Sequence, residues 1–170
     1  MKRVLLFLMC LLSICVYAQK VCYGVCGVSF GQSYYNVSNV LRAKFGNPDR
    51  CDKNEIVYYD KTYGGVYFSR IMFNFQYDGS GRSYLNSCIM GSDCKTLKEA
   101  ASRAKYFAYG VLTDYDMIER EGDNGIHYYI GGVDPTNNNR YGVAIGVVNT
   151  VNVIGVGINY GPYDYVSEGF

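Results

Sequence analysis

Any chemistry done by this chain would have to come from a small set of side chains: a single histidine, His127, seven cysteines, and the carboxylates Asp114, Asp116, Glu119, Glu121 and Asp123. His127 lies between Ile126 and Tyr128 in an alternating stretch. That places it on a strand, facing solvent or bonded to a neighbour. Thiol hydrolysis would need it beside an oriented cysteine of lowered pKa, and no sequence neighbour supplies one. Cys22-Tyr23-Gly24-Val25-Cys26 has one residue too many for the two-cysteine redox motif. The carboxylate run offers oxygen ligands for a hard cation but lacks the regular calcium loop. A solvated connection is the first reading and weak calcium binding the second. As a glycosidase pair, two of these acids would have to stand about 5–10 Å apart, which spacing along a loop does not determine. Gly24, Gly27 and Gly31 do not have the dinucleotide spacing, and no Lys-Ser or Lys-Thr pair follows them. No catalytic, cofactor or metal residue is expected.

The remaining cysteines depend on where the chain works. Met1, Lys2 and Arg3 precede an apolar run from Val4 to Val16, and Val16-Tyr17-Ala18 ends in residues small enough for cleavage. This is the pattern of a secretory signal, residues 1–18. Cys15 raises lipid modification as an alternative, against which stands the branched Ile14 before it. The apolar run is shorter than the roughly 20 residues that span a bilayer, and no longer one follows, so no transmembrane segment is expected after cleavage. The expected location is periplasmic or secreted. Cys22, Cys26, Cys51, Cys88 and Cys94 then remain for an oxidising compartment. Cys88 and Cys94 can meet if Ile89 to Asp93 forms a turn. Cys22 and Cys26, about 13 Å apart on a straight strand, can meet only across a sharp bend. One or two disulfides, with one cysteine left over, compete with inert buried thiols. Loss of Lys2 and Arg3 leaves fourteen basic against fifteen acidic residues, a net charge of −1. Such a surface has no field to gather phosphates, which excludes nucleic acid as an expected partner.

Tyrosine is the conspicuous residue, nineteen in all. It brings flat apolar area with a polar tip, a combination suited to contact surfaces. Tyr34-Tyr35, Tyr58-Tyr59 and Tyr128-Tyr129 are adjacent pairs, and on a strand such a pair sends one ring to each face. These six form the candidate binding surface for a protein or an envelope glycan.

The elements that must position these residues read as follows. Residues 21–30 form a first strand. Ser33 caps a helix whose apolar stripe is Val37, Val40, Leu41 and Phe45, closed by Gly46 and Pro48. Short strand 56–59 precedes a long strand 66–77 that alternates Ile71, Phe73, Phe75 and Tyr77 with Met72, Asn74 and Gln76, and an antiparallel hairpin returns through 84–90. Asp93 or Thr96 can cap a second, longer helix, the Thr96/Glu99 spacing permits a reciprocal capping box, and Gly110 is expected to bend, contact or end that helix. After the acidic connection come strands 125–133, 141–148 and 153–160. The last two alternate bulky residues with Gly142, Ala144, Gly146, Gly155 and Gly157. Glycine weakens a strand, so something approaches that bare face closely, and the protein's own helix is the favoured candidate over a partner. The fold class is α+β: antiparallel sheet with two main helices on one face, possible as a tandem helix-plus-sheet arrangement. Residues 19–170 form a single compact domain or two half-domains meeting near 83–93, around one sheet or two.

Phe30-Gly31-Gln32-Ser33, followed by Val37, Leu41 and Phe45-Gly46-Asn47-Pro48, resembles the helix-opening segment of the beta-lactamase-inhibitor-like superfamily, which includes small outer-membrane assembly lipoproteins. Tyr63-Gly64-Gly65, Phe68 and Met72-Phe73-Asn74-Phe75 are similar to small exported Bacteroidetes proteins of unassigned role. The second helix departs from the first pattern, having no glycine-any-proline closure. The resemblance implies a helix packed on antiparallel sheet, in some members in tandem, and a variable binding surface; it carries over no catalytic residue. The expected function is therefore non-enzymatic binding of another macromolecule through a tyrosine-rich surface. A cell-wall or glycan hydrolase and a structural envelope protein without a small ligand are the alternatives.

Overall fold

The computed structural model describes residues 20–78, 80–111, 115–122, 125–134 and 141–161. The expected signal segment, Asp114 and Asp123 lie outside the described residues. Residues 21–30 do not form one strand. Gly24–Val25 (β1) and Val28–Ser29 (β2) pair as a small hairpin around Cys26-Gly27. Both turn residues have positive φ, 59° and 86°, the combination whose twist suits a two-residue hairpin. Lys44 Nζ donates to the Cys26 carbonyl at 3.2 Å and ties the turn to the first helix.

That helix, α1, spans Tyr34–Phe45. Ser33 accepts from the Asn36 amide, and Gly46, at φ 83°, returns its amide to Arg42 O; both ends are thus satisfied by the residues expected to do so. Val37 and Leu41 are fully buried, whereas Val40 is exposed. The second helix, α2, spans Leu97–Tyr106. Thr96 Oγ1 accepts from the Glu99 amide at 3.1 Å, and Glu99 Oε2 accepts from the Lys95 amide at 2.9 Å. The box therefore closes one residue before the cap. Where Gly110 predicted a break, the chain widens into a π turn over Phe107–Val111. It buries Phe107 and Ala108 and sets the Tyr109 ring edge-on to Tyr129 at 5.5 Å.

All other strands join one continuous antiparallel sheet of eight: β3 (Arg50–Cys51), β4 (Glu55–Tyr63), β5 (Val66–Tyr77), β6 (Ser83–Asp93), β7 (Ile118–Glu121), β8 (His127–Gly131), β9 (Val143–Asn149) and β10 (Ile154–Tyr160). Their order is β3-β4-β5-β6-β10-β9-β8-β7. The strand at 83–93 is thus the sheet's centre, and the acidic connection contains an edge strand, β7, that composition alone did not reveal. The fold is sheet-dominated α+β.

Directly opposed residues of an antiparallel ladder share a face. The register aligns Ile71 with Met90, Phe73 with Cys88, Met90 with Ile158, Cys88 with Tyr160, Ile158 with Ile145, and Ile145 with Tyr129. All of these are buried, in one cluster with Val37 and Leu41 of α1, Ala100 and Ala104 of α2, and Phe107. The intervening residues Arg70, Met72, Asn74, Ile89, Gly91, Gly157, Ala144, Gly146 and Tyr128 alternate to the opposite face and are part or fully exposed. The period of two in β5, β9 and β10 is therefore the division between core and water.

Candidate functional site

The expected pairing of Cys88 with Cys94 is not formed: Ile89 to Asp93 does not turn but continues β6, which at about 3.3 Å per residue holds the two roughly 20 Å apart. All five described cysteines, Cys22, Cys26, Cys51, Cys88 and Cys94, are free thiols. Cys22, Cys26 and Cys88 are buried in the core cluster. Burial pushes the Cys88 thiol well up, reinforced by neighbouring Cys26 and Cys22. It raises Cys26 to about 12, with Lys44 opposing. A thiol that keeps its proton at neutral pH is a poor nucleophile, and the core positions of these residues account for them as packing groups.

The tyrosine pairs divide. Tyr58 is completely buried and Tyr129 is 3% exposed, while their neighbours Tyr59 and Tyr128 are 41% and 39% exposed. Tyr34 packs on Phe75 with ring centroids 4.9 Å apart, and Tyr35 projects into solvent from α1. Tyr58 and Tyr129, and for the most part Tyr34, are thus withdrawn from the candidate surface. Tyr59 and Tyr128 remain on one sheet face, and Tyr35 stands apart on a helix.

What links Tyr59 to Tyr128 is bare backbone. Gly157 on β10 stands opposite Gly91 on β6 and opposite Gly146 on β9. Arg70 pairs with Gly91 from β5, and Tyr59 pairs with Arg70 from β4. At the other end, Tyr128 Cβ lies 3.7 Å from the position a side chain on Gly146 would take. One row therefore runs Tyr59, Arg70, Gly91, Gly157, Gly146, Tyr128 across six strands. A methyl at Gly91 would meet only Arg70 O at 3.9 Å and Ser69 Oγ at 4.0 Å, and one at Gly157 only Val148 Cγ2 at 3.2 Å. Among the described residues no helix or loop approaches these three glycines. The favoured internal explanation fails for this row. Elsewhere the chain itself does come close, though not through a helix: a side chain on Gly142 would overlap Cys22 Cβ and lie 2.9 Å from Val133 O, and one on Gly155 would lie 2.6 Å from Ser92 O of β6.

On the other side of the sheet, at its β7–β8 edge, a groove of about 440 Å³ opens beside α2. Lys98, Ala101, Ser102 and Lys105 recur at helical spacing and form one wall; Glu119, Ile126, His127 and Tyr129 form the other. Glu119 pairs with Tyr129 and Glu121 with His127 across the β7–β8 ladder, so all four share a face. His127 Nδ1 lies 2.9 Å from Glu119 Oε1. The Tyr129 hydroxyl donates to the same oxygen at 3.2 Å. A carboxylate only accepts, so Nδ1 carries the proton and the ring's Nε2 edge is turned away from Glu119. Burial and then the Glu119 charge raise the Tyr129 hydroxyl to about 12, which keeps it a donor. The histidine's partner is thus a carboxylate and not a cysteine. This arrangement escaped the sequence reading because it depends on β7, hidden in a stretch dominated by charge.

No group of three or more metal-type side chains occurs among the described residues. No helix among them is long and apolar enough to cross a membrane. No protein family's sequence profile, no curated protein and no solved structure matches the chain.

Proposed function

We propose that this is an exported, non-enzymatic binding protein, periplasmic or secreted, that docks another folded protein on the exposed face of its sheet. The observation that carries this reading is the in-register row Gly91, Gly157 and Gly146. Glycine costs a strand about 0.5–1 kcal/mol relative to alanine; at Gly91 and Gly146 the chain's own packing does not ask for it, and at Gly157 only the exposed Val148 side chain, 3.2 Å from a new Cβ, would have to give. A partner's atoms resting on the bare backbone would. Tyr59 and Tyr128 border the row as exposed rings, and Arg70 adds a guanidinium beside it; tyrosine and arginine are the residue types that dominate protein contacts.

Size favours a protein over a glycan. From β4 to β8 the face is about 24 Å wide at about 4.8 Å per strand, and β9 and β10 are each about 23 Å long. That makes a flat footprint of about 550 Å², about two thirds of the roughly 800 Å² a side of a standard protein interface. A tandem arrangement with α1 and α2 both on the buried face is supported by Val37, Leu41, Ala100 and Ala104 in one core cluster, by the four strands that follow each helix, and by a strand order that reads alike outward from the β6–β10 seam. Such a doubling is in keeping with the beta-lactamase-inhibitor-like resemblance of the first helix. The test is a tagged protein carrying Tyr59→Ala, Arg70→Ala and Tyr128→Ala together, compared with Tyr35→Ala plus Tyr106→Ala on the helices, in capture from the native host's envelope fraction. The first variant loses the partner and the second keeps it; equal retention by both refutes the docking face.

A further inference from the structure

We propose that the groove between α2 and the β7–β8 hairpin binds a carboxylate carried on an apolar or aromatic body. This site is independent of the docking face, because Tyr129 alternates with Tyr128 and so lies on the opposite side of the sheet. Its volume, about 440 Å³, falls in the range of small-ligand sites, roughly 300–1,000 Å³.

Three features select the ligand. The first is unmatched positive charge. Lys98 and Lys105 stand two helical turns apart, about 10.5 Å along the axis, on the wall that α2 gives to the groove. Among the described residues neither makes an ion pair. Arg103 and Glu99 bind each other at 2.7 Å, and Glu119 accepts from both His127 and Tyr129. Glu121, also on the hairpin's groove side, lies beside the turn at Gly125, its Oε1 3.9 Å from where that residue's side chain would begin.

The second feature is the oriented histidine. With Nδ1 held by Glu119, the imidazole keeps one ring pose and offers its Nε2 edge to whatever enters, a carboxylate when the ring is protonated or a hydroxyl when it is neutral. Orientation of this kind removes part of the entropy cost of binding. The third is the apolar remainder of the lining, Leu97, Ala101, Ile126 and Val147. Leu97 lines the groove and is exposed. A small inorganic anion would leave this surface wet, and a dianion would be repelled by Glu119. A single carboxylate on an apolar body satisfies both halves.

His127 is the chain's only histidine, so its imidazole C–H resonances report the groove without assignment of any other residue. Titration with 3-phenylpropionate shifts them saturably, and 3-phenylpropanol, which lacks the charge, binds about tenfold more weakly, the loss expected for one charge-assisted hydrogen bond. Lys98→Gln combined with Lys105→Gln weakens the acid by at least about tenfold, while the melting temperature stays unchanged because both side chains are exposed. The peptide N-acetyl-Ala-Ala-Phe separates two sources of the carboxylate: binding tighter than that of 3-phenylpropionate assigns the groove to polypeptide C-termini, weaker binding to free organic acids. The proposal is overturned if the acid gives no saturable shift, if the alcohol binds as tightly as the acid, or if the lysine variant binds the acid unchanged.

Discussion

Substituting both Gly91 and Gly146 by threonine separates a glycine kept for folding from one kept for a partner. Neither has the positive φ that would forbid a side chain, and the nearest atoms to a new Cβ are 3.9 Å and 3.7 Å away, ordinary van der Waals contact. Each site relieves about 0.5–1 kcal/mol of strand-glycine penalty, and a β-branched residue suits the half-covered pleat. The double variant gains about 1–2 kcal/mol in urea unfolding, or about 2–8 °C in melting temperature for a chain of this size. Gly142→Ala is the control. Its methyl would overlap Cys22 Cβ, and overpacking a tight site costs about 1–3 kcal/mol. The two variants therefore move in opposite directions although both add carbon to a glycine in or beside the sheet. Four methyl and hydroxyl groups on the row would also hold a partner off the backbone, so the stabilised protein captures its partner poorly. Destabilisation of the threonine variant by as much as Gly142→Ala would show that this chain needs the bare row for itself.

Leu41→Ala empties a fully buried site beneath α1 and costs about 2–5 kcal/mol by denaturant unfolding. Thr96→Ala removes the acceptor for the Glu99 amide and costs about 1 kcal/mol on the same measurement. A thiol reagent applied to the native protein at neutral pH modifies the exposed Cys51 first, and Cys22, Cys26 and Cys88 only after unfolding; rapid native labelling of Cys88 would contradict its burial. At alkaline pH the sign follows from the buried acids. Burial holds Cys26 protonated to about 12 against an ordinary 9.0, and Tyr58 to about 12 against 10.0. The unfolded chain therefore loses these protons first. Stability present below pH 9 declines as pH rises from about 9 to about 12, and Cys26→Ala flattens the lower part of that decline.

Local rules carried much of the fold. Ser33 capped the first helix and Gly46 closed it, Thr96 rather than Asp93 capped the second, and the alternation of β5, β9 and β10 separated buried from exposed residues except at Tyr77, which is exposed, and Gly155, which is buried. These features were legible because each depends on neighbours within a turn or a pleat. What was missed depended on pairing at a distance. Ile89 to Asp93 looked able to turn because glycine, serine and aspartate favour turns, yet pairing with β5 and β10 on both sides keeps it extended. Ile118–Glu121 looked like a solvated loop because charge dominates it, and becomes a strand through its ladder with β8. The tyrosine pairs obeyed the rule of one ring in and one ring out at Tyr58-Tyr59 and Tyr128-Tyr129. Which ring went in was fixed by register. The glycines were conspicuous in sequence, but only the alignment of Gly91 with Gly157 and Gly146 distinguished those that nothing internal fills.

Site-specific photo-crosslinking tests the docking face most directly. A benzophenone side chain placed at Tyr59 or Tyr128 in the native envelope should trap one and the same protein, and the same group at Tyr35 or Tyr106 on the helices should not. Capture of that protein from the helix positions, with none from Tyr59 or Tyr128, would place the contact away from the glycine row and contradict this account.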